Sequence, residues 1–240
     1  MAGAAVLGRL NWRVASVAEF LDETPRTRTL VLDVDGWPGH RAGQHVDVRL
    51  TAEDGYQAER SYSIASGPNN GRLELTVELI EDGEVSPYLV GDLQHGDSFE
   101  LRGPIGGYFA WDPADGGPLL LVGGGSGVVP LRSMLRARPV DVSARLIYSA
   151  RTLEDVIYRD ELEALGDDVV LTLTREQRDG FHAGRVDADL LREAGFQPER
   201  EPRIFVCGPT PFVESVASSL VALGHPPERV RTERFGPTGR

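Results

Sequence analysis

The stretch LLLVGGGSGVVP, from Leu119 to Pro130, has the pattern of a buried strand, a glycine-rich turn and the start of a helix. Consecutive apolar residues are typical of a strand in a parallel sheet, where both faces are covered. Glycine lets the backbone approach a pyrophosphate closely, and a helix N-terminus attracts phosphate charge. The spacing is GxGxxP at Gly125, Gly127 and Pro130, with proline in place of the third glycine of the dinucleotide fingerprint. The stretch therefore predicts a dinucleotide-binding turn, and a generic strand-to-helix turn is the alternative.

Strands and helices alternate after this stretch, which predicts a doubly wound parallel α/β domain. The further predicted elements are strands at 144–148, 169–173 and 204–206, and helices from the glycine turn to Arg138, from Thr152, and over 212–223. Thr152 and Asp155 form a capping box for the second helix. Its apolar face is predicted to consist of Leu153, Val156, Ile157, Leu162 and Leu165.

The preceding half of the chain has short strands with period-two alternation, which predicts an antiparallel β-barrel. The alternating residues are Leu30, Leu32, Val34, Val46, Val48, Leu50, Leu73, Leu75, Val77 and Leu79. One short helix is predicted with Ser86 as its N-cap and Pro87 at its first position. DPADGG, 112–117, reads as a linker. The expected domains are therefore residues 1–112 and residues 113–240.

The strand within AERSYSIAS, 58–66, is suited to a charged and flat ligand. Alternate residues of a strand share a face, so Arg60 and Tyr62 lie on one side. Arg60 offers a fork for phosphate, Tyr62 a stacking face, and Ser61 and Ser63 small hydroxyls. The cluster predicts a flavin nucleotide site. The alternative is a half-buried edge strand with Tyr62 in the core and Arg60 on the surface.

A second phosphate site is predicted where a glycine turn precedes the short helix. Gly83, Val85 and Ser86 lie at that helix N-terminus, where free N–H groups and the helix dipole favour an anion. An ordinary capped helix would have the same sequence. Two phosphate-suited sites in one small β domain strengthen the prediction of a flavin nucleotide.

Three arginines predict the type of pyridine nucleotide. Ser149 and Arg151 end the second strand of the α/β domain, where a fold that prefers NAD usually has a carboxylate. Arginine suits the 2′-phosphate of NADPH instead, and Arg175 and Arg185 are candidates to join it. NADPH is therefore expected over NADH, with solvated arginines as the alternative reading.

Two further groups lie near the end of the chain. Cys207, Gly208 and Pro209 follow a buried strand and precede a helix, which puts them at the carboxyl edge of the sheet, where ligands bind in doubly wound folds. A lone cysteine is otherwise often a small buried apolar residue. Glu233 and Phe235, in RTERFGPTGR, carry no signal by themselves.

Composition excludes several classes of function. All 25 basic residues are arginine, which removes Schiff-base lysines and the P-loop lysine. The single cysteine excludes an intrachain disulfide and a Cys-ligated iron–sulfur cluster, and the five histidines lack metal-ligand spacing, so no metal is expected. A net charge of −12 argues against nucleic acid and anionic membranes as partners. No apolar run is long enough to span a bilayer and the N-terminus lacks a signal-peptide pattern, so a cytoplasmic location is expected.

The motifs RSYS, GEVS, GGGSGVVP, SAR, TR, CGP and ERF occur in the order seen in the ferredoxin–NADP reductase superfamily of FAD-containing electron transferases. The chain resembles that family from Gly43 to Phe235. The resemblance implies that Arg60 binds the flavin pyrophosphate, Tyr62 packs on the isoalloxazine and Ser63 lies near flavin N5. It assigns the remaining cofactor contacts as follows: the FAD pyrophosphate to Gly83, Val85 and Ser86, and the nicotinamide nucleotide to Gly125, Gly127 and Pro130.

The resemblance also implies roles at the other end of the chain. Cys207 would lie beside nicotinamide C4, Glu233 would join the hydrogen-bond network around both rings, and Phe235 would shield the isoalloxazine. Plant-type members end at a tyrosine, whereas this chain has Phe235 and five more residues. The cysteine cluster of members fused to a [2Fe-2S] domain is absent, so an iron–sulfur partner would be a separate molecule.

The expected function is that of an FAD-dependent oxidoreductase. It would pass a hydride from NADPH or NADH to flavin N5 and then single electrons to a separate acceptor, with a ferredoxin or an oxygenase iron–sulfur component favoured. Ser63, Cys207 and Glu233 are the expected catalytic residues. The alternatives are a flavin, quinone or cytochrome reductase of the same fold, or a non-catalytic flavin-binding redox sensor.

Overall fold

Two six-stranded sheets form the framework of the computed structural model, which describes residues 10–68 and 71–236. Residues 1–9 and 237–240, the outer ends of the two expected domains, lie outside the described part. The strands of the first sheet are β1 Trp12–Thr24, β2 Thr27–Val34, β3 His45–Thr51, β4 Gln57–Ser63, β5 Leu73–Glu78 and β6 Ser98–Ile105. They pair in the order β4-β3-β6-β1-β2-β5, and every pair is antiparallel.

The first sheet curls toward a barrel. Its two edge strands approach each other at the bridge between Ile64 and Leu75. Val46 and Val48 of β3 are fully buried, because the predicted alternation places them on the inner face. The antiparallel half of the predicted fold is thus confirmed.

The predicted short helix is present. It includes Ser86 and Pro87 and continues as a π-helical turn, Tyr88–Asp92, so Ser86 lies within the helix and does not precede it. The Ser86 hydroxyl accepts a hydrogen bond from the Ile80 backbone N–H at 3.0 Å, so it ties the loop to the end of β5. The N-cap prediction was wrong because this contact across the loop takes the hydroxyl.

The second sheet is entirely parallel, with the order β10-β9-β8-β7-β11-β12. Its strands are β7 Leu119–Gly124, β8 Ala144–Ala150, β9 Val169–Leu173, β10 His182–Ala183, β11 Arg203–Pro209 and β12 Val230–Phe235. The helices are α1 Val128–Ala137, α2 Arg159–Glu163, α3 Ala188–Ala194 and α4 Thr210–Ala222. Leu119 and Leu121 join one apolar cluster while Leu120 and Val122 join another, so both faces of β7 are covered. The predicted doubly wound α/β architecture is confirmed.

The helix predicted from Thr152 is interrupted. Its capping box is present, but it closes only a short 3-10 turn that ends at Asp155. Tyr158 then has a φ of 61°, in the left-handed region, and α2 begins at the next residue. The phenol of Tyr158 is buried and donates to Thr76 on β5. A contact with the other sheet therefore replaces the continuous helix.

The end of the chain is a sheet strand. β12 pairs in parallel with β11, and this register sets Glu233 opposite Cys207. Glu233 and Phe235, which carry no signal in the sequence by themselves, are thereby placed at the carboxyl edge of the sheet. Over residues 10–68 and 71–236, no helix has both the length and the apolar character needed to cross a membrane.

A polar cluster centred on the buried Arg132 joins the two sheets. Arg132 on α1 donates to Glu74 on β5 and to Glu161 on α2, each at 2.7 Å. Arg136 contacts the same two carboxylates. The guanidinium of Arg132 lies 4.0 Å from the ring centroid of Tyr158. These five residues are called the interface cluster below.

Candidate active site

A cavity of about 310 Å³ opens between the two sheets at the carboxyl ends of the parallel strands. The antiparallel side contributes Thr24, Arg26, Thr27 and Glu78. The parallel side contributes Gly124, Gly125, Ser126, Ser149, Ala150, Arg151, Asp155, Ile157, Thr174, Pro209, Phe212 and Phe235. Five predicted site residues, Gly125, Ser149, Arg151, Pro209 and Phe235, thus meet at one cavity. Ligands of doubly wound folds bind at this edge of the sheet.

The glycine turn packs directly against the start of the CGP segment. A Cβ at Gly127 would lie 2.2 Å from the carbonyl oxygen of Cys207, so only glycine fits there. Pro130 is buried within α1. Gly127 and Pro130 therefore support the turn, while Gly125 reaches the cavity.

Cys207 and Glu233 lie on neighbouring strands, and the pKa of each side chain is raised. Burial, and secondarily the charge of Glu233, raises the pKa of the Cys207 thiol well above its usual range. Burial raises the pKa of Glu233 to about 7. The thiol is therefore protonated at neutral pH, whereas Glu233 can hold or release a proton there.

Phe212 is a cavity residue that the sequence analysis missed. Its ring lies so close to the β7 and β11 ends that a Cβ at Gly208 would be 2.7 Å from it, and one at Gly124 3.0 Å. The signal for it was its place in the first turn of the helix that follows CGP. Together with Phe235, which is partly exposed, it supplies two aromatic rings to one cavity.

Arg60 and Tyr62 lie on β4, a strand as predicted and, as in the alternative interpretation, at the edge of the sheet. Arg60 is exposed and forms an ion pair with Glu84, whose other oxygen accepts from the Tyr56 hydroxyl. Tyr62 is half-buried against the barrel core, and burial raises its pKa to about 12. Its phenol is therefore neutral, which suits a stacking surface. The sequence analysis did not predict that Glu84 would pair with Arg60 and compete there with a phosphate.

The two serines of β4 lie on the face opposite to Arg60 and Tyr62, because successive side chains of a strand alternate. Ser61 donates to Asp47 at 2.6 Å. Ser63 stands at the end of β4 opposite His45, whose pKa is lowered by burial.

The GEVS turn is held by its own side chains. Val85 is buried in the barrel core, Ser86 bonds to Ile80, and the Gly83 N–H donates to the Ile80 carbonyl oxygen at 2.9 Å. In the described part of the chain, the backbone N–H groups of Val85 and Ser86 have no hydrogen-bond partner. Such N–H groups fit a pyrophosphate.

The three arginines assigned to the nucleotide are placed differently. Arg151 lines the cavity, with its guanidinium 3.4 Å from Asp155 and 3.8 Å from Glu78. Arg175 and Arg185 are exposed and do not line it. Neither of these two forms an ion pair within the described residues. Arg26, which the sequence analysis missed, lines the cavity from the other sheet and pairs with Glu81.

Two family models cover most of the chain. Residues 19–110 match the oxidoreductase FAD-binding domain, and residues 121–218 match the oxidoreductase NAD-binding domain. The first match falls on the antiparallel sheet and the second on the parallel one.

Several known proteins are similar in sequence. The chain is 40% identical over 210 residues to ferredoxin–NADP reductase B of Sorangium cellulosum, covering 81% of this chain and 84% of that protein. It is 35% identical over 220 residues to NADH oxidoreductase HCR of Escherichia coli, covering 89% of this chain and 65% of that protein. It is 35% identical over 213 residues to the glycine betaine monooxygenase reductase subunit of Chromohalobacter salexigens, covering 82% of this chain and 56% of that protein. The chain thus spans less than two thirds of the latter two.

The fold is also that of solved structures. The FAD/NAD-binding domain of nitric oxide dioxygenase from Vibrio cholerae superposes with a TM-score of 0.84 at 24% identity, covering 94% of this chain and 99% of that one. With these matches, the chain belongs to the ferredoxin–NADP reductase superfamily. It is a flavoenzyme with an FAD-binding and an NAD-binding domain.

Proposed function

We propose that the protein is an NAD(P)H-dependent flavoprotein reductase that passes electrons to a separate acceptor. The observation that carries the proposal is the cavity between the sheets, where the glycine turn, Ser149 and Arg151 meet Phe235 beside the Cys207–Glu233 pair. Residues 1–112 would form the flavin half and residues 113–240 the nucleotide half. A nucleotide in this cavity would lie at the boundary between the two halves.

The residues of the first sheet fit FAD. Arg60 would bind the pyrophosphate after exchanging Glu84 for it, assisted by the free N–H groups of Val85 and Ser86. Tyr62 offers a neutral ring for the isoalloxazine, with Ser63 one residue further along β4. When bound, FAD supplies the two-electron acceptor for the nucleotide and the one-electron donor for the partner.

The residues of the second sheet would orient the nucleotide and manage protons. Gly125 allows close backbone approach, and Phe212 and Phe235 supply apolar faces to the cavity. The buried thiol of Cys207 is protonated, and Glu233 can hold a proton on its carboxyl group near neutral pH. NADPH is the favoured nucleotide because of Arg151, with Arg175 and Arg185 near the same edge, and NADH is the alternative.

The names of two relatives support a proposal for the acceptor. One is named a ferredoxin–NADP reductase and another a monooxygenase reductase subunit. We propose a ferredoxin or an oxygenase iron–sulfur component as the partner. The net charge of −12 gives an acidic partner no overall attraction, so the contact would depend on a local arginine surface.

The test is anaerobic reduction of the purified protein. The isolated protein is expected to contain FAD, and NADPH or NADH is expected to bleach its flavin absorbance. Turnover with ferricyanide then distinguishes an enzyme from a non-catalytic flavin-binding sensor, and a screen of ferredoxins, quinones and cytochromes identifies the acceptor. A protein that neither retains added FAD nor reduces it would overturn the proposal.

A further inference from the structure

One carboxylate that lines the cavity comes from the antiparallel sheet and not from the dinucleotide-binding fold. Glu78 is the last residue of β5, in the antiparallel sheet, yet its carboxylate lies 3.8 Å from the guanidinium of Arg151. Arg151 is the one predicted 2′-phosphate ligand that lines the cavity. The inference below rests on the proposed function, because it concerns the choice between NADPH and NADH.

Two carboxylates contact the same nitrogen of the Arg151 guanidinium. Asp155 lies 3.4 Å from this nitrogen and Glu78 lies 3.8 Å from it. Asp155 is fixed, because it accepts from the backbone N–H and the hydroxyl of Thr152 in the capping box. Glu78 has no other ion pair and no side-chain hydrogen bond among the described residues. Of the two carboxylates, Glu78 is therefore the one that no other side chain holds in place within the described residues.

The opposite wall of the cavity does not supply a spare cation. Arg26 lines it, but its guanidinium donates to Glu81 at 2.7 Å and to the Leu79 carbonyl oxygen at 3.1 Å. A 2′-phosphate brings about two negative charges at neutral pH. The negative charge of Glu78 repels such a phosphate as it approaches Arg151, whereas the ribose hydroxyls of NADH can donate to a carboxylate.

We propose that Glu78 is a specificity-determining residue that acts from the flavin-side sheet, by competing with the 2′-phosphate for Arg151. In this arrangement Arg151 favours NADPH and Glu78 weakens that preference, so that the wild-type protein discriminates only modestly between the two nucleotides. Glu78 lines the cavity and acts on the nucleotide by way of Arg151, so its effect depends on how the two sheets are joined.

The test separates binding from turnover. The test is to measure, by calorimetry on the FAD-loaded protein, the Kd of adenosine 2′,5′-bisphosphate and the Kd of 5′-AMP. These two ligands differ only in the 2′-phosphate. In Glu78→Gln the bisphosphate is expected to bind about three- to tenfold more tightly, while 5′-AMP changes by less than about twofold. The ratio of kcat/KM for NADPH over NADH should rise by the same factor, through the KM for NADPH. Glu163→Gln, which breaks the exposed pair with Arg159, is the matched control and should change neither.

A double variant tests the route. In Arg151→Ala, the gain from Glu78→Gln should fall below about twofold, because the residue through which Glu78 acts is gone. An equal gain in both backgrounds, or no gain in either, would overturn the inference. If both ligands bind as expected but no nucleotide reduces the flavin, the proposed function fails while the inference stands. If neither ligand binds, the cavity is not a nucleotide site and both fail.

Discussion

Two arginines of the second sheet's domain reach the same strand of the first sheet with opposite results. Arg132 pairs with Glu74 of β5 at 2.7 Å, and its side chain is 5% exposed. Arg151 pairs with Glu78 of the same strand at 3.8 Å, and its side chain is 46% exposed. The chemistry of the two pairs is the same, and burial makes the difference. Glu74 of β5 thus belongs to a contact that joins the two sheets, whereas Glu78 at the end of the same strand faces an arginine that a ligand can reach.

The energetic consequences of the two pairs also differ. Removing one member of a buried ion pair leaves an uncompensated charge in a poorly solvated place, which is costly. An exposed pair at long range contributes little to stability, because water and salt screen it. The comparison therefore predicts stability effects at the interface cluster and ligand effects at the cavity.

The largest effect on stability is expected from a substitution in the interface cluster. Arg132→Met should lower the free energy of unfolding by about 3–5 kcal/mol, because Glu74 and Glu161 lose their most buried partner. Urea denaturation of the variant and of a surface control, Arg159→Met, measures this. A loss below about 1 kcal/mol would mean that Arg136 alone can satisfy both carboxylates.

Glu233 shows what a buried carboxylate does without an arginine. Its pKa is raised to about 7 by burial, and no ion pair within the described residues includes it. Because the folded state holds the proton more tightly than the unfolded state, its contribution is fully present below about pH 4.5 and is lost as the pH rises through about 7. The loss is on the order of 1–3 kcal/mol. The difference in Tm between wild type and Glu233→Gln, followed from pH 4.5 to 8, should shrink and change in favour of the variant as the pH rises, whereas a constant difference would contradict the assignment.

A milder change probes the neutral part of the interface cluster. Tyr158→Phe removes the hydrogen bond to Thr76 but keeps the ring under Arg132. The expected cost is about 1–2 kcal/mol, because the buried Thr76 hydroxyl retains only its bond to Thr29. Tyr108→Phe, at an exposed tyrosine, serves as the control, and equal stability of the two variants would contradict the prediction.

The smallest effect on stability is expected at the cavity. Arg151→Met should change the free energy of unfolding by less than about 0.5 kcal/mol, because the guanidinium is exposed and its carboxylate partners can be solvated. The same variant should weaken binding of adenosine 2′,5′-bisphosphate. A large loss of stability would show that Arg151, like the interface cluster, helps to hold the two sheets together.

Local patterns were enough to predict much of the fold. The strand and turn of LLLVGGGSGVVP, the alternation of β3 and β5, and the capping box at Thr152 all depend on neighbours in sequence. The errors came from distant contacts. Tyr158 leaves the helical region where its hydroxyl reaches Thr76, and Ser86 turns to Ile80 instead of capping a helix.

The candidate site divides in the same way. Gly125, Ser149, Arg151 and Pro209 follow strand ends, and strand ends of a parallel sheet share one edge, so their meeting was predictable. Glu78 and Arg26 come from the other sheet, and no local pattern relates them to the nucleotide turn.

Periodicity and glycine positions in the amino-acid sequence were sufficient to predict the alternation of strands and helices, the glycine turn and the types of ligand that each half can hold. These features depend on backbone conformation, which is a property of short segments. Which arginine is buried in an ion pair and which remains exposed to a ligand depends on the tertiary structure. Burial and pairing are set by residues far apart in the chain, and here by the strand β5, which offers Glu74 to one arginine and Glu78 to the other.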